Sequence, residues 1–181
     1  MITGGVGGAN TKTGARFEFD TDLTTFISKQ NGYKVEVVKP GAQHNVFYRG
    51  EFVGQILVKY GLYDFLSDEG VDWTKILSKR LLPDDSIFVI LRNKIYIIEK
   101  KYQIVTGSVD EKPQTCDFKK KQYQRLFSLL NIDVEYMYLF NDWFLKDEYK
   151  DMLNYIISTG CSYYFNYIPL EKLGLPVPVT A

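Results

Sequence analysis

Asp84, Glu99 and Lys101 stand at the open end of an apolar stretch running from Pro83 to Gln103. Two short runs, 87–91 and 94–99, are rich in Ile, Val, Phe and Tyr and meet at Arg92-Asn93, which predicts a hairpin of buried strands with a tight turn. With a two-residue loop, Leu91 pairs with Lys94 and Asp84 falls opposite Lys101. Glu99 is one step along on the same face because side chains alternate with period two. A three-residue loop would put Asp85 opposite Lys101 instead; the two-residue register, and with it Asp84, is the one adopted here. Two carboxylates and a lysine on one spot suit a hard cation such as Mg²⁺, which takes one or two carboxylates, keeps waters and accepts phosphate oxygens. An ammonium beside it can orient a water and offset charge developing on phosphorus. An ordinary ion pair at a solvated hairpin end is the bland alternative.

The elements that must position these residues follow from the rest of the chain. A helix is expected from near Gly14 towards Gln30, with Phe17, Leu23, Phe26 and Ile27 on its apolar face and Asn31-Gly32 closing it. Residues 33–39 alternate like a half-buried strand, His44 falls in the loop after it, and 46–48 and 52–58 read as further short strands. Helices are expected over 60–66 and 73–82, the second capped by Asp72 and delivering the chain to Pro83. Trp73 belongs to the apolar side of that second helix. After a polar loop at 108–115, a helix over 118–130 should turn Phe118, Leu126, Phe127 and Leu130 inward and Lys119, Lys120, Gln122 and Arg125 outward. Residues 134–140 form a buried strand, 142–145 and 149–159 helices, 162–168 a last strand, and a short helix follows Pro169. This order predicts one α/β domain over 1–181 with a central mixed sheet flanked by helices. Residues 1–13 read as a flexible arm and 175–181 as an extended tail.

Composition limits the alternatives. A chain of 181 residues, 45% hydrophobic and 15% aromatic, can bury a substantial core. No apolar run is long enough to cross a bilayer and the N-terminus lacks a signal-peptide pattern, so the cytoplasm is expected. Cys116 and Cys161 have no metal-ligand spacing and are expected as thiols. A single histidine rules out a His-ligated metal cluster. The formal net charge is zero, yet the third of the chain from Arg92 to Arg125 is locally basic. Glycines 4, 5, 7 and 8 before Lys12-Thr13 do not have the spacing of a phosphate loop, and no strand precedes them.

Pro83-Asp84, then fourteen residues, then Glu99-Lys100-Lys101 resembles the PD-(D/E)XK nucleases, in the manner of their small type II restriction endonucleases. The segments Gly14-Ala15-Arg16-Phe17-Glu18, 107–115 and 168–176 extend the likeness over most of the chain. The resemblance implies a restriction-endonuclease-like fold. It also implies Mg²⁺-dependent hydrolysis of double-stranded DNA at a short sequence, leaving 5′-phosphate and 3′-hydroxyl ends. Asp84 and Glu99 would hold the metal and Lys101 would orient water. Glu18, Asp85 and Gln103 would support them, and Lys100, Lys112, Gln114, Lys119, Lys120 and Arg125 would contact DNA. A homodimer and a cognate DNA methyltransferase are the expected partners. A structure-directed repair, resolvase or phage nuclease, and a non-catalytic DNA-binding module, are the other readings.

Overall fold

The computed structural model describes residues 21–104 and 112–178. Seven strands form one sheet in sequence order: β1 (Tyr33–Lys39), β2 (Gln43–Tyr48), β3 (Glu51–Leu57), β4 (Asp85–Val89), β5 (Lys94–Lys101), β6 (Asp133–Phe140) and β7 (Ser162–Phe165). The first five are joined antiparallel, whereas β5–β6 and β6–β7 run parallel, so the sheet is mixed. Each parallel pair is bridged by a helix, as parallel neighbours require a long crossover. Helix α3 (Cys116–Phe127) links β5 to β6, and α4 (Lys150–Ser158) links β6 to β7.

Helices cover both faces. On one, α2 (Gly61–Asp68), α3 and α4 bury Leu62, Leu66, Tyr123, Phe127 and Ile156 against Ile95, Ile97, Tyr136 and Tyr138. On the other, α1 (Leu23–Ser28) and the C-terminal segment bring Leu23, Ile27, Ile168 and Leu173 onto Ile87, Tyr96, Ile98 and Met137. Strand β5 lies between these layers, which accounts for its unbroken apolar run.

Several boundaries differ from expectation. The β4–β5 connection has four residues rather than two. Residues 90–92 make a 3-10 turn, Asn93 takes the left-handed conformation (φ 48°), and Val89 pairs with Lys94. Asp84 therefore comes level with Glu99 rather than Lys101. This slip of two leaves every side chain on its expected face. The helix expected over 73–82 shrinks to a single 3-10 turn, Trp73–Lys75. Asp72 does cap it, accepting from the Thr74 N–H. Beyond it the backbone finds another partner: the Tyr63 hydroxyl accepts from the Leu81 N–H at 2.7 Å and donates to the Leu81 carbonyl at 2.9 Å. Trp73 packs edge-on to Tyr63 and beneath Arg80. His44 lies inside β2, not in a loop. Phe118 is 60% exposed rather than inward, because the buried stripe of α3 runs through Cys116, Tyr123, Leu126 and Phe127. Helix α1 begins only after its cap, Asp22, which accepts from the Thr25 N–H. The Gly14–Glu18 segment, the arm at 1–13, and residues 105–111 lie outside the described residues.

Candidate active site

Alternation along β5 sorts its polar end into two sets. Ile95 and Ile97 face α3, and so do Glu99 and Lys101; Tyr96 and Ile98 face α1, and so does Lys100. The same rule sorts Asp84 from Asp85. Asp84 sits in the bend just before β4, where its Oδ2 accepts from the Lys100 backbone N–H at 2.7 Å. This bond pins the carboxylate to the edge of β5 beside Glu99.

Lys101 Nζ lies 2.9 Å from Glu99 Oε2 and 3.9 Å from Asp84 Oδ2, and it also donates to the Lys100 carbonyl at 3.0 Å. A second ammonium reaches the cluster from α3, with Lys119 Nζ 3.2 Å from Glu99 Oε1. The Glu99 side chain is only 8% exposed. Burial alone would raise its pKa, but Lys101 and Lys119 together outweigh that and hold it below the usual carboxylate range. Two carboxylates and two ammonium groups thus form a charge-balanced cluster at one end of the sheet. One helical turn after Lys119, the fully buried Tyr123 carries a hydroxyl with no hydrogen-bond partner among the described residues. Its pKa is raised by burial and then by the charge of Glu99.

On the opposite face Lys100 pairs with Asp85 at 2.6 Å, their side chains 8% and 3% exposed. Burial pushes the Asp85 carboxyl up to about 6 despite the attraction of Lys100. The ammonium of Lys100 is thus paired with a buried acid on the face away from Glu99 and Lys101. Gln103 is buried and its backbone is clamped by Asn141, whose amide accepts from the Gln103 N–H at 3.1 Å and donates to its carbonyl at 2.8 Å.

The remaining expected DNA contacts are distributed along the turn before α3 and along α3 itself. Lys112 and Gln114 lie in a 3-10 turn (Lys112–Thr115) leading into α3. Lys120 donates to the Gly160 carbonyl at 2.6 Å. Arg125 reaches the Ile76 carbonyl at 2.6 Å and the Gln122 side chain at 2.9 Å, tying α3 to the segment that leads to Pro83. It sits six residues from Lys119, about 9 Å along the helix. Glu18 lies outside the described residues.

The hairpin spacing brought Asp84, Glu99 and Lys101 together. Lys119 was legible only as an outward cation, and Tyr123 was missed. Their one signal is the i, i+4 spacing that puts both on the same side of α3. Among the described residues no three His, Cys, Asp or Glu side chains cluster as a metal cage. A pair of carboxylates is nonetheless the donor set that Mg²⁺ accepts, since waters and phosphate oxygens complete its shell. No family model, curated protein or solved structure matches this chain.

Proposed function

We propose that this chain is a Mg²⁺-dependent endonuclease of the PD-(D/E)XK type, cutting double-stranded DNA at a short sequence as a type II restriction enzyme. The observation that carries the reading is the convergence of Lys101 on Glu99 at 2.9 Å and Asp84 at 3.9 Å. The mixed sheet, with an antiparallel hairpin presenting the acids and a helical crossover beside it, supports a restriction-endonuclease-like fold.

Asp84 and Glu99 would hold Mg²⁺, which would supply positive charge to offset the negative charge developing on the phosphate and the departing oxygen. The chain's own contribution is positional. Lys101, held by Glu99 and the Lys100 carbonyl, directs a water at phosphorus opposite the 3′-oxygen. The water oxygen bonds to phosphorus as the phosphorus–O3′ bond breaks. The hydroxyl of that water stays on the 5′-phosphate, and its proton ends on the 3′-hydroxyl. Asp84 keeps its place through the Lys100 N–H. Symmetric cutting of both strands needs two such sites, which a homodimer supplies. A cognate methyltransferase would protect the host DNA.

The test is incubation of the purified chain with unmethylated phage DNA in Mg²⁺ or EDTA, beside Lys101→Ala. Discrete fragments that require Mg²⁺ and vanish in the variant are expected. A smear would replace the sequence-specific reading with a structure-directed nuclease. Binding without cutting across several genomes would leave a DNA-binding module.

A further inference from the structure

Resting on the metal-dependent reading above, Lys119 takes on a role beyond phosphate contact. Both oxygens of Glu99 are occupied by ammonium groups, Oε2 by Lys101 and Oε1 by Lys119. A divalent cation binding Glu99 therefore competes with one of them for an oxygen. The two lysines are not equally held. Lys101 is 15% exposed, bonds Glu99 and the Lys100 carbonyl, stands 3.9 Å from Asp84 and lies over the Tyr138 ring. Lys119 is 26% exposed, and Glu99 is its one ion-pair partner among the described residues.

We infer that Lys119 is a displaceable counter-ion for the cation site. It neutralises Glu99 Oε1 while no metal is bound and surrenders that oxygen when a divalent cation arrives. The cluster already balances two acids against two lysines, so a doubly charged ion is accommodated at lower cost when positive charge moves aside. Lys119 is the group with room to do so. Its freed ammonium is then left at the edge of the site, where the incoming phosphodiester brings compensating negative charge. Cation binding and DNA binding are thereby coupled through one side chain.

The experiment is Mn²⁺ binding to the full chain without DNA, followed by the electron paramagnetic resonance of the free ion. Lys119→Met, Lys119→Arg and Glu99→Gln are compared with the parent, and thermal melting confirms that each is folded. Removing a cation that competes at about 3 Å should tighten Mn²⁺ binding in Lys119→Met by about tenfold or more, whereas Lys119→Arg stays close to the parent. Unchanged or weaker binding in folded Lys119→Met, including none detectable in either protein, overturns the inference. If Glu99→Gln leaves Mn²⁺ binding intact, the metal reading of the site fails and this inference fails with it.

Discussion

Lys100 and Lys101 are consecutive in sequence, yet their ammonium groups lie on opposite faces of the sheet. Lys100 contacts Asp85 at 2.6 Å and Lys101 contacts Glu99 at 2.9 Å. Each lysine takes one member of the Asp84-Asp85 neighbourhood with it: Lys101 shares the face of Asp84, and Lys100 the face of Asp85. On the proposed reading one pair serves the chemistry, whereas the other is a buried ion pair between β4 and β5. The two lysines should therefore fail differently when replaced.

Lys101→Met should cut the rate of DNA cleavage by about 10²- to 10⁴-fold, the range for losing a positioned proton-handling or water-orienting group. Glu99 keeps Lys119 as a partner in this variant, so the fold should stay intact. Single-turnover cleavage, with urea unfolding on the same preparation, separates the two effects. A loss of stability large enough to explain the rate would refute the assignment.

Lys100→Met leaves the Asp85 carboxylate buried without its partner. Breaking a buried ion pair from one side costs about 3–5 kcal/mol, and urea unfolding should show a loss of that order. Adding Asp85→Asn should restore a good part of it, because no uncompensated charge then remains. If the double variant is as unstable as the single one, the pair is not what Lys100 contributes.

Stability should also carry a pH signature from Asp85. Its folded pKa, about 6, lies above the ordinary value of 3.8, so the folded chain holds this proton more tightly than the unfolded chain. The resulting stabilisation is fully present below about pH 4 and is lost as the pH rises through about 6. Glu99, lowered in the fold, works the opposite way and loses its contribution as the pH falls below the usual glutamate range. Unfolding in EDTA from pH 4 to 7 should therefore show the parent losing ground to Asp85→Asn as pH increases. A constant gap would argue against a raised Asp85.

Gly54 offers a test of how β4 is seated. A Cβ at this position would come 2.5 Å from the Phe88 carbonyl oxygen on the neighbouring strand. Gly54→Ala must push β3 and β4 apart, and overpacking of this kind costs about 1–3 kcal/mol. The denaturant midpoint should fall with the slope unchanged, and cleavage should weaken because β4 leads from Asp84. An unchanged midpoint would mean that the strands adjust freely.

Asp84, Glu99 and Lys101 were legible in the sequence because strand side chains alternate. Even with the loop length mistaken by two residues, the three stayed on one face. The end of the helix expected at 73–82 was not legible, since what replaces its ladder is the hydroxyl of Tyr63, eighteen residues before Leu81. Nor could the place of Phe118 be read from hydropathy alone. Cys116 and Tyr123 define the buried stripe of α3, and Cys116 lies against Thr159 from a distant helix end. Lys119 was found as a charge but not as a partner of Glu99, because that contact depends on how α3 docks across the sheet.

The Lys100 backbone N–H that Asp84 accepts has a use outside the chemistry. This amide is protected by a carboxylate rather than by the strand ladder alone. Its proton resonance should lie far downfield and should respond to whatever engages Asp84. In a titration with ions or oligonucleotides, one nuclear-magnetic-resonance peak would follow the state of the acid directly. Its neighbours along β5, bonded within the sheet, would serve as the built-in reference.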